Sequence, residues 1–216
     1  STNYRHRQPG NPRPPRISQR AKEAAVKVEI SSLETAIADF RNEYGIEPPS
    51  HIHLYEQATQ WNSNPRDRGT ITRIWPRFVF AKNRDLDANG SVEADPDNDG
   101  EAGVHLSGAE CLVFFLGGMP QKDANGNFFM TGFSKNPLNP LQHRTGDESR
   151  DGPFFEFPSA RLVDVEVDSN GDHVGDGWPE FIDTLNNQVP ATAWTRTART
   201  AGASPGTPTG RVGGQA

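Results

Sequence analysis

The stretch SQRAKEAAVKVEISSLETAIADFRNEYG, residues 18–45, contains the clearest regular pattern in the chain and decides the fold class. Its large apolar residues are spaced alternately four and three apart, which places them on one face of an α-helix. They are Val26, Ile30, Leu33, Ile37, Phe40 and Tyr44. Gly45 and the following Pro48–Pro49 pair favour a helix end. We therefore predict a helix over residues 18–44, about 40 Å long at 1.5 Å per residue.

That length favours a helix lying along a sheet or along partner helices, although an ordinary surface helix would show the same apolar stripe.

The rest of the chain favours strands. The alternating segment RLVDVEV (161–167) and the short apolar runs at 127–133 and 154–158 are typical of strands, and we expect an extended segment at 71–80. The pattern predicts an α+β fold, with a long N-terminal helix packed on a mainly antiparallel sheet that carries long acidic loops.

A second helix is predicted at residues 107–118, SGAECLVFFLGG, although a strand is the alternative for so short an apolar run. Ser107 and Glu110 are spaced as a capping box, and Gly117 is a helix terminator. Cys111 is the only cysteine, so no internal disulfide can form. Its position inside an apolar run indicates a buried, unreactive thiol.

Charge is distributed unevenly along the 216 residues, whose formal net charge is −6. The first 22 residues carry six Lys or Arg and no acid, and residues 184–216 carry three Arg and no acid. All 28 Asp and Glu therefore lie in the middle of the chain, which favours cations and disfavours nucleic acid as partners. No apolar run is long enough for a membrane span.

Composition divides the chain into one folded unit and two tails. The Pro- and Arg-rich segment 1–17 and the Ala-, Thr-, Gly- and Pro-rich segment 189–216 are typical of disordered tails. Between them we expect a single domain over 18–188, with the helix followed by a strand- and loop-rich body over 45–188.

The segment RDLDANGSVEADPDNDGE, residues 84–101, has the residue spacing of an EF-hand-type calcium loop. Asp85, Asp87 and Asn89 would occupy positions 1, 3 and 5 of that loop. Position 12 is Pro96, which cannot supply the closing carboxylate. A later acid would have to replace it, and the candidates are Glu93, Asp95, Asp97 and Asp99.

A second acidic loop, VDSNGDHVGDGWPEF (167–181), offers further oxygen ligands, namely Asp168, Asn170, Asp172 and Asp176. Ca²⁺ binds such oxygens, and clustered carboxylates repel one another without a counter-ion. Asp, Asn and Gly also dominate ordinary turns, which is the preferred interpretation of the shorter segment 123–127. At the two longer loops we predict structural Ca²⁺ that cross-links segments with little apolar surface.

His51 and His53 form an HxH pair, whose rings would point the same way on a strand. Zinc would need a third ligand, and none is evident nearby, so we interpret both as solvent-exposed loop histidines. The sequence contains no GxSxG, phosphate-binding glycine loop or HExxH motif. We find no catalytic set and expect a non-enzymatic protein without a small-molecule substrate.

Residues 21–50 resemble the second half of the N-terminal helix of type IV pilin-like proteins, above all the major pseudopilins of type II secretion. Ile46 and Glu47 depart from the family's usual aromatic residue. The matching positions are Leu33, Ala36, Phe40, Gly45 and Pro48. The loop at 167–183 is similar to the acidic C-terminal region in which major pseudopilins bind structural calcium. The family's leader and hydrophobic half-helix have no counterpart here, which indicates either a shortened form or a divergent relative.

The resemblance implies a filament subunit of a type II secretion or type IV pilus system. Its partners would be copies of itself or related subunits, and its location would be extracytoplasmic, in the periplasm or at the cell surface. The alternative is a soluble secreted calcium-binding or adhesive module without a filament role.

Overall fold

The computed structural model describes residues 16–96, 100–164 and 176–182, without the side chains of 16–19. The helices of these ranges are α1 (Arg16–Tyr44), α2 (Pro65–Ile74) and α3 (Gly108–Gly117). The strands are β1 (Ile52–Leu54), β2 (Val104–Leu106), β3 (Pro120–Lys122), β4 (Phe128–Met130), β5 (Phe133–Ser134), β6 (Arg150–Asp151), β7 (Leu162–Val163) and β8 (Glu180–Phe181). Residues 1–15 and 183–216, and with them most of both predicted tails, lie outside the described ranges.

The predicted mixed α+β class is confirmed, but the strands form four separate antiparallel pairs rather than one sheet. β1 pairs with β2, β3 with β4, β5 with β6, and β7 with β8. Each pair is only two or three residues long, because turns and loops interrupt the chain before a longer ladder can form. Helix α3 lies in the centre of the core, and all of its residues except Ala109 are buried.

The predicted helix at 18–44 is confirmed, and α1 begins two residues earlier, at Arg16. It ends where the sequence indicates, because Gly45 has a φ of +72° and donates its N–H to the Arg41 carbonyl. Leu33, Ala36 and Phe40 are buried against the body.

The apolar stripe of α1 is only partly buried, in contrast to the sequence pattern. Ile30 is 50% exposed although it lies on the predicted stripe. Of the side chains from residue 20 to residue 32, only Val26 and Glu29 are half-buried, and the others are exposed. Glu29 forms an ion pair with Arg161, which ties this part of the helix to the segment before β7.

Helix α3 confirms the prediction at 107–118. The Ser107 N–H donates to the Glu110 carboxylate at 2.5 Å, as the capping box requires. Cys111 is fully buried, and burial raises the pKa of its thiol well above the ordinary value. Gly118 ends the helix at a φ of +89°, and a Cβ there would lie 2.2 Å from the Gly132 carbonyl carbon, so only glycine permits this backbone contact.

Two strand predictions are wrong. The segment 71–80 begins inside α2, because Asn64 caps that helix through its side chain, Pro65 occupies the first turn and Ile71 and Ile74 are buried three residues apart. The segment 154–158 is not a strand either. Its first two N–H groups both donate to the Leu116 carbonyl at the end of α3 rather than to a neighbouring strand.

The remaining strand predictions are confirmed in part. The run at 127–133 contains β4 and the first residue of β5, which are separated by Thr131 and Gly132. The alternating segment 161–167 contains β7, and its residues after 164 are not among those described. Within the described ranges, no helix combines the length and the apolarity that a membrane crossing requires.

Candidate metal centre

In the first acidic loop, backbone N–H groups donate hydrogen bonds to the loop's own carboxylates. The Asn89 N–H donates to Oδ1 of Asp85 (3.1 Å) and to Oδ1 of Asp87 (3.0 Å). The Gly90 N–H donates to Oδ2 of Asp85 at 2.9 Å. Ala88 and Gly90 have φ values of 61° and 88°, which allow the backbone to turn this sharply. The loop therefore holds the Asp85 and Asp87 side chains close together.

A third carboxylate reaches this loop from the segment after β1. Glu56 is fully buried, and it accepts hydrogen bonds from the N–H groups of Leu86 (2.6 Å) and Glu93 (2.8 Å). These bonds hold its carboxylate across the base of the loop. One oxygen each of Glu56, Asp85 and Asp87 lies within 4.8 Å of the other two, so the three carboxylates could hold a metal ion.

The negative charge of this cluster has no counter-ion within residues 16–96, 100–164 and 176–182. Among the described residues, none of the three carboxylates forms an ion pair with a Lys, Arg or His side chain. Arg84 is adjacent in sequence, but its guanidinium donates to the Asn139 side chain and to backbone carbonyls, and it packs over the Phe78 ring. Burial raises the pKa of Glu56, and burial together with the Asp85 carboxylate raises the pKa of Asp87.

The pKa of Glu56 predicts a specific pH dependence. A carboxyl whose folded pKa lies above its ordinary value of 4.5 stabilises the fold below pH 4.5, and that stabilisation is lost as pH rises through the folded pKa. In chelator, we therefore expect wild type to lose stability relative to Glu56→Gln as pH rises above 4.5. Chemical denaturation of both proteins across this range measures the difference. A difference that does not change with pH would contradict the raised pKa.

The other predicted ligands of the first loop do not all point into the cluster. The Asn89 amide oxygen accepts from the Ser91 N–H at 2.7 Å, while its Nδ2 donates to Asp87 at 2.8 Å. Glu93 contributes its backbone N–H, and Asp95 accepts from the Gly100 N–H at 3.0 Å in a separate turn. The remaining candidates, Asp97 and Asp99, lie outside the described residues.

Glu56, which the sequence analysis missed, brings a third carboxylate to the cluster, which Pro96 cannot supply. One local signal could have found it. Glu56 has the same parity as the buried β1 residues Ile52 and Leu54, although the strand ends at Leu54 and Tyr55 is buried as well. An acid at an inward position needs hydrogen-bond donors or a cation.

The second acidic loop meets the first. Asp176 is only 9% exposed and accepts from the Trp178 N–H at 2.8 Å. A Cβ on Gly177 would lie 4.0 Å from the Cβ of Asp87, and the Gly177 N–H donates to Asp164 at 3.1 Å. The described end of the second loop, at residues 176–177, therefore lies beside Asp87. The other predicted ligands of this loop, which lie outside the described residues, are Asp168, Asn170 and Asp172.

The segment 123–127 is a plain turn, as predicted. The Asp123 carboxylate accepts from the N–H groups of Asn125 (2.8 Å) and Asn127 (2.9 Å) and from the Asn127 side chain (3.1 Å). These hydrogen bonds, those of the Asn127 side chain first, lower the pKa of Asp123. The turn connects β3 with β4.

The interpretation as solvent-exposed loop histidines holds for His51 and is wrong for His53, and a third histidine lies beside them. His53 lies within β1 and is half-buried, while His51 precedes the strand and is exposed. His105 of β2 lies beside them, because β1 and β2 pair across a long separation in sequence. One ring nitrogen of each histidine lies within 4.8 Å of the other two.

No protein-family model, curated protein or solved structure matches the chain.

Proposed function

We propose that this protein is a non-enzymatic filament subunit of the pilin-like or pseudopilin-like type, with Ca²⁺ bound to the loops of its body. The observation that carries the proposal is the division of α1 into two parts. From Leu33 to Tyr44 the helix packs into the core, whereas most side chains from residue 20 to residue 32 are exposed. A monomer has no need of this exposed part for its own core.

The exposed part of α1 carries apolar surface that suits contact with a protein. Val28 is 67% exposed and Ile30 is 50% exposed. A shallow open groove along the same part of the helix is lined by Ala24, Ala25, Val28, Glu29, Ser32 and Phe155. Helices in proteins gain most of their stability from the packing of an apolar face, so this half is expected to gain a partner.

The occupant that we propose for this surface is a second copy of the chain. The first 22 residues carry six Lys or Arg and no acid, whereas residues 23–183 carry all 28 acids. The basic beginning of one subunit and the acidic body of the next are therefore complementary in charge, which favours regular association of identical chains. Repeated in one direction, such head-to-tail contacts produce a filament.

Calcium is the ion that we propose for the Glu56–Asp85–Asp87 cluster. The donor set consists of carboxylate oxygens alone, as hard cations prefer, and three carboxylates supply up to six oxygens for an ion that takes six to eight. Sites of this kind in extracellular modules bind Ca²⁺ with dissociation constants of about 10⁻⁴–10⁻³ M. We therefore propose an extracytoplasmic location, in the periplasm or at the cell surface.

The filament proposal is tested by placing a charge on the exposed part of α1. We expect the double substitution Val28→Glu and Ile30→Glu to abolish assembly of the natural gene product in its own cells, because it buries charge between subunits. Electron microscopy and sedimentation of sheared envelope fractions measure assembly. The melting temperature should stay unchanged, since both residues are exposed in the monomer and Glu is a good helix former.

The matched control is Leu138→Glu, which charges an exposed apolar residue of the body (44% exposed). It should assemble like wild type. Assembly of the α1 double variant like wild type would reject the exposed part of α1 as the contact between subunits. Failure of the wild-type protein itself to assemble would reject the filament proposal and favour the alternative, a soluble secreted calcium-binding or adhesive module, because the acidic cluster does not involve α1.

A further inference from the structure

Three histidines lie on the outer face of the β1–β2 pair. Ile52 and Leu54 of β1 and Val104 and Leu106 of β2 point into the core, so the residues between them point outward. His53 and His105 are direct cross-strand partners. His51 is two residues before His53 and therefore shares its side of the strand.

The three rings are in mutual contact. The ring centroids of His53 and His105 are 4.6 Å apart, with the rings stacked at 16°. The His51 centroid lies 4.5 Å from that of His105 and 5.1 Å from that of His53. His105 Nε2 and His51 Nδ1 are 2.9 Å apart, close to the spacing of about 3.3 Å between two nitrogens bound to one tetrahedral Zn²⁺.

A buried carboxylate orients the central histidine. Asp67 of α2 is 2% exposed, and its Oδ2 lies 2.9 Å from His53 Nδ1 and accepts from the His53 N–H at 3.0 Å. The Asn64 Nδ2 donates to the same oxygen at 2.6 Å, which fixes the carboxylate in place. Because a carboxylate accepts hydrogen bonds, the neutral tautomer that fits this contact has its proton on Nδ1 and the lone pair on Nε2. This carboxylate–histidine pairing is the usual support of a metal-binding imidazole.

We propose that His51, His53 and His105 bind a divalent transition-metal ion, Zn²⁺ in the first place, through one ring nitrogen each. Imidazole nitrogens select zinc and related ions over Ca²⁺, which prefers oxygen, so this site is chemically distinct from the Glu56–Asp85–Asp87 cluster. Three protein ligands leave the fourth tetrahedral position for water or an external ligand. The ion would fasten the exposed His51 segment to β2 across a strand pair only three residues long.

The test is a calorimetric titration of the metal-free full chain with Zn²⁺ in excess Ca²⁺, which occupies oxygen sites. We expect saturable binding of one ion, and with Co²⁺ as the probe the intense visible absorption of a tetrahedral complex. His51→Ala should weaken Zn²⁺ binding at least about tenfold. Loss of a residue that only supports a metal ligand already lowers metal affinity about 10–100-fold, and His51 is proposed as a ligand itself. Its melting temperature in chelator should equal that of wild type, because His51 is exposed.

Two control variants test whether Zn²⁺ binding depends on these three histidines rather than on other residues. His143→Gln keeps a donor towards the Leu86 carbonyl, which His143 Nε2 contacts at 2.8 Å, and it should bind Zn²⁺ like wild type. Asp87→Asn removes a ligand of the acidic cluster and should also leave Zn²⁺ binding unchanged. Absence of saturable binding by wild type, or wild-type affinity in His51→Ala, would overturn the proposal whatever the response to Ca²⁺.

Discussion

Truncation of Phe40 to alanine is expected to lower the free energy of unfolding by about 3–5 kcal/mol, the usual cost of deleting a fully buried aromatic ring. The Phe40 side chain is fully buried, and its ring contacts Phe115 of α3 (centroids 5.7 Å apart) and Phe154 (5.6 Å). The substitution would therefore leave a cavity between α1 and the body. Denaturant titration of both proteins measures the difference.

The matched control is Ile30→Ala, on the same helix and in the same apolar stripe of the sequence. Ile30 is 50% exposed, so we expect its truncation to change the free energy of unfolding by no more than about 0.5 kcal/mol. Similar losses in the two variants would mean that the body packs against the whole stripe. That result would contradict the division of α1 on which the filament proposal rests.

The second large effect concerns Asp87→Asn, which is expected to remove most of the stabilisation by Ca²⁺. An ion present at ten times its dissociation constant stabilises the fold by about 1.4 kcal/mol, and the loss of one of three carboxylates removes most of that gain. In chelator, where no Ca²⁺ is bound, the variant should no longer be the less stable of the two proteins. The variant should be at least as stable as wild type, because a neutral amide relieves both the burial of a charge and the repulsion from Asp85, which raise the pKa of Asp87.

Melting temperatures of both proteins in chelator and in millimolar Ca²⁺ measure this change. The control is Asp123→Asn, which alters an exposed turn carboxylate and should retain the full calcium response. If wild type melts at the same temperature in both conditions, or if Asp87→Asn responds to Ca²⁺ as strongly as wild type, the proposal of Ca²⁺ at the Glu56–Asp85–Asp87 cluster is wrong. The proposal of zinc binding at the histidines does not depend on either result.

Much of the local structure could be predicted from the sequence. The three- and four-residue spacing of α1, the capping box of Ser107 and Glu110 and the plain turn at Asp123 all depend on residues a few positions apart. The segment at 71–80 was misassigned because its apolar residues fit a strand, whereas the decisive cap at Asn64 lies before the run. Of the three carboxylates in the acidic cluster, the sequence predicts Asp85 and Asp87, because they share one loop. It does not predict Glu56, which comes from another segment of the chain.

The sequence by itself determined the helix, the buried segment of α3 and the turns of the acidic loop, because these follow from backbone periodicity and neighbouring side chains. Only the tertiary structure decided which half of α1 is buried, that Glu56 closes the acidic loop and that His105 joins His51 and His53. Each of those contacts joins residues far apart in the chain, and they depend on strand register and core packing. Such pairings are set by the burial of the whole core, which no single stretch of sequence encodes.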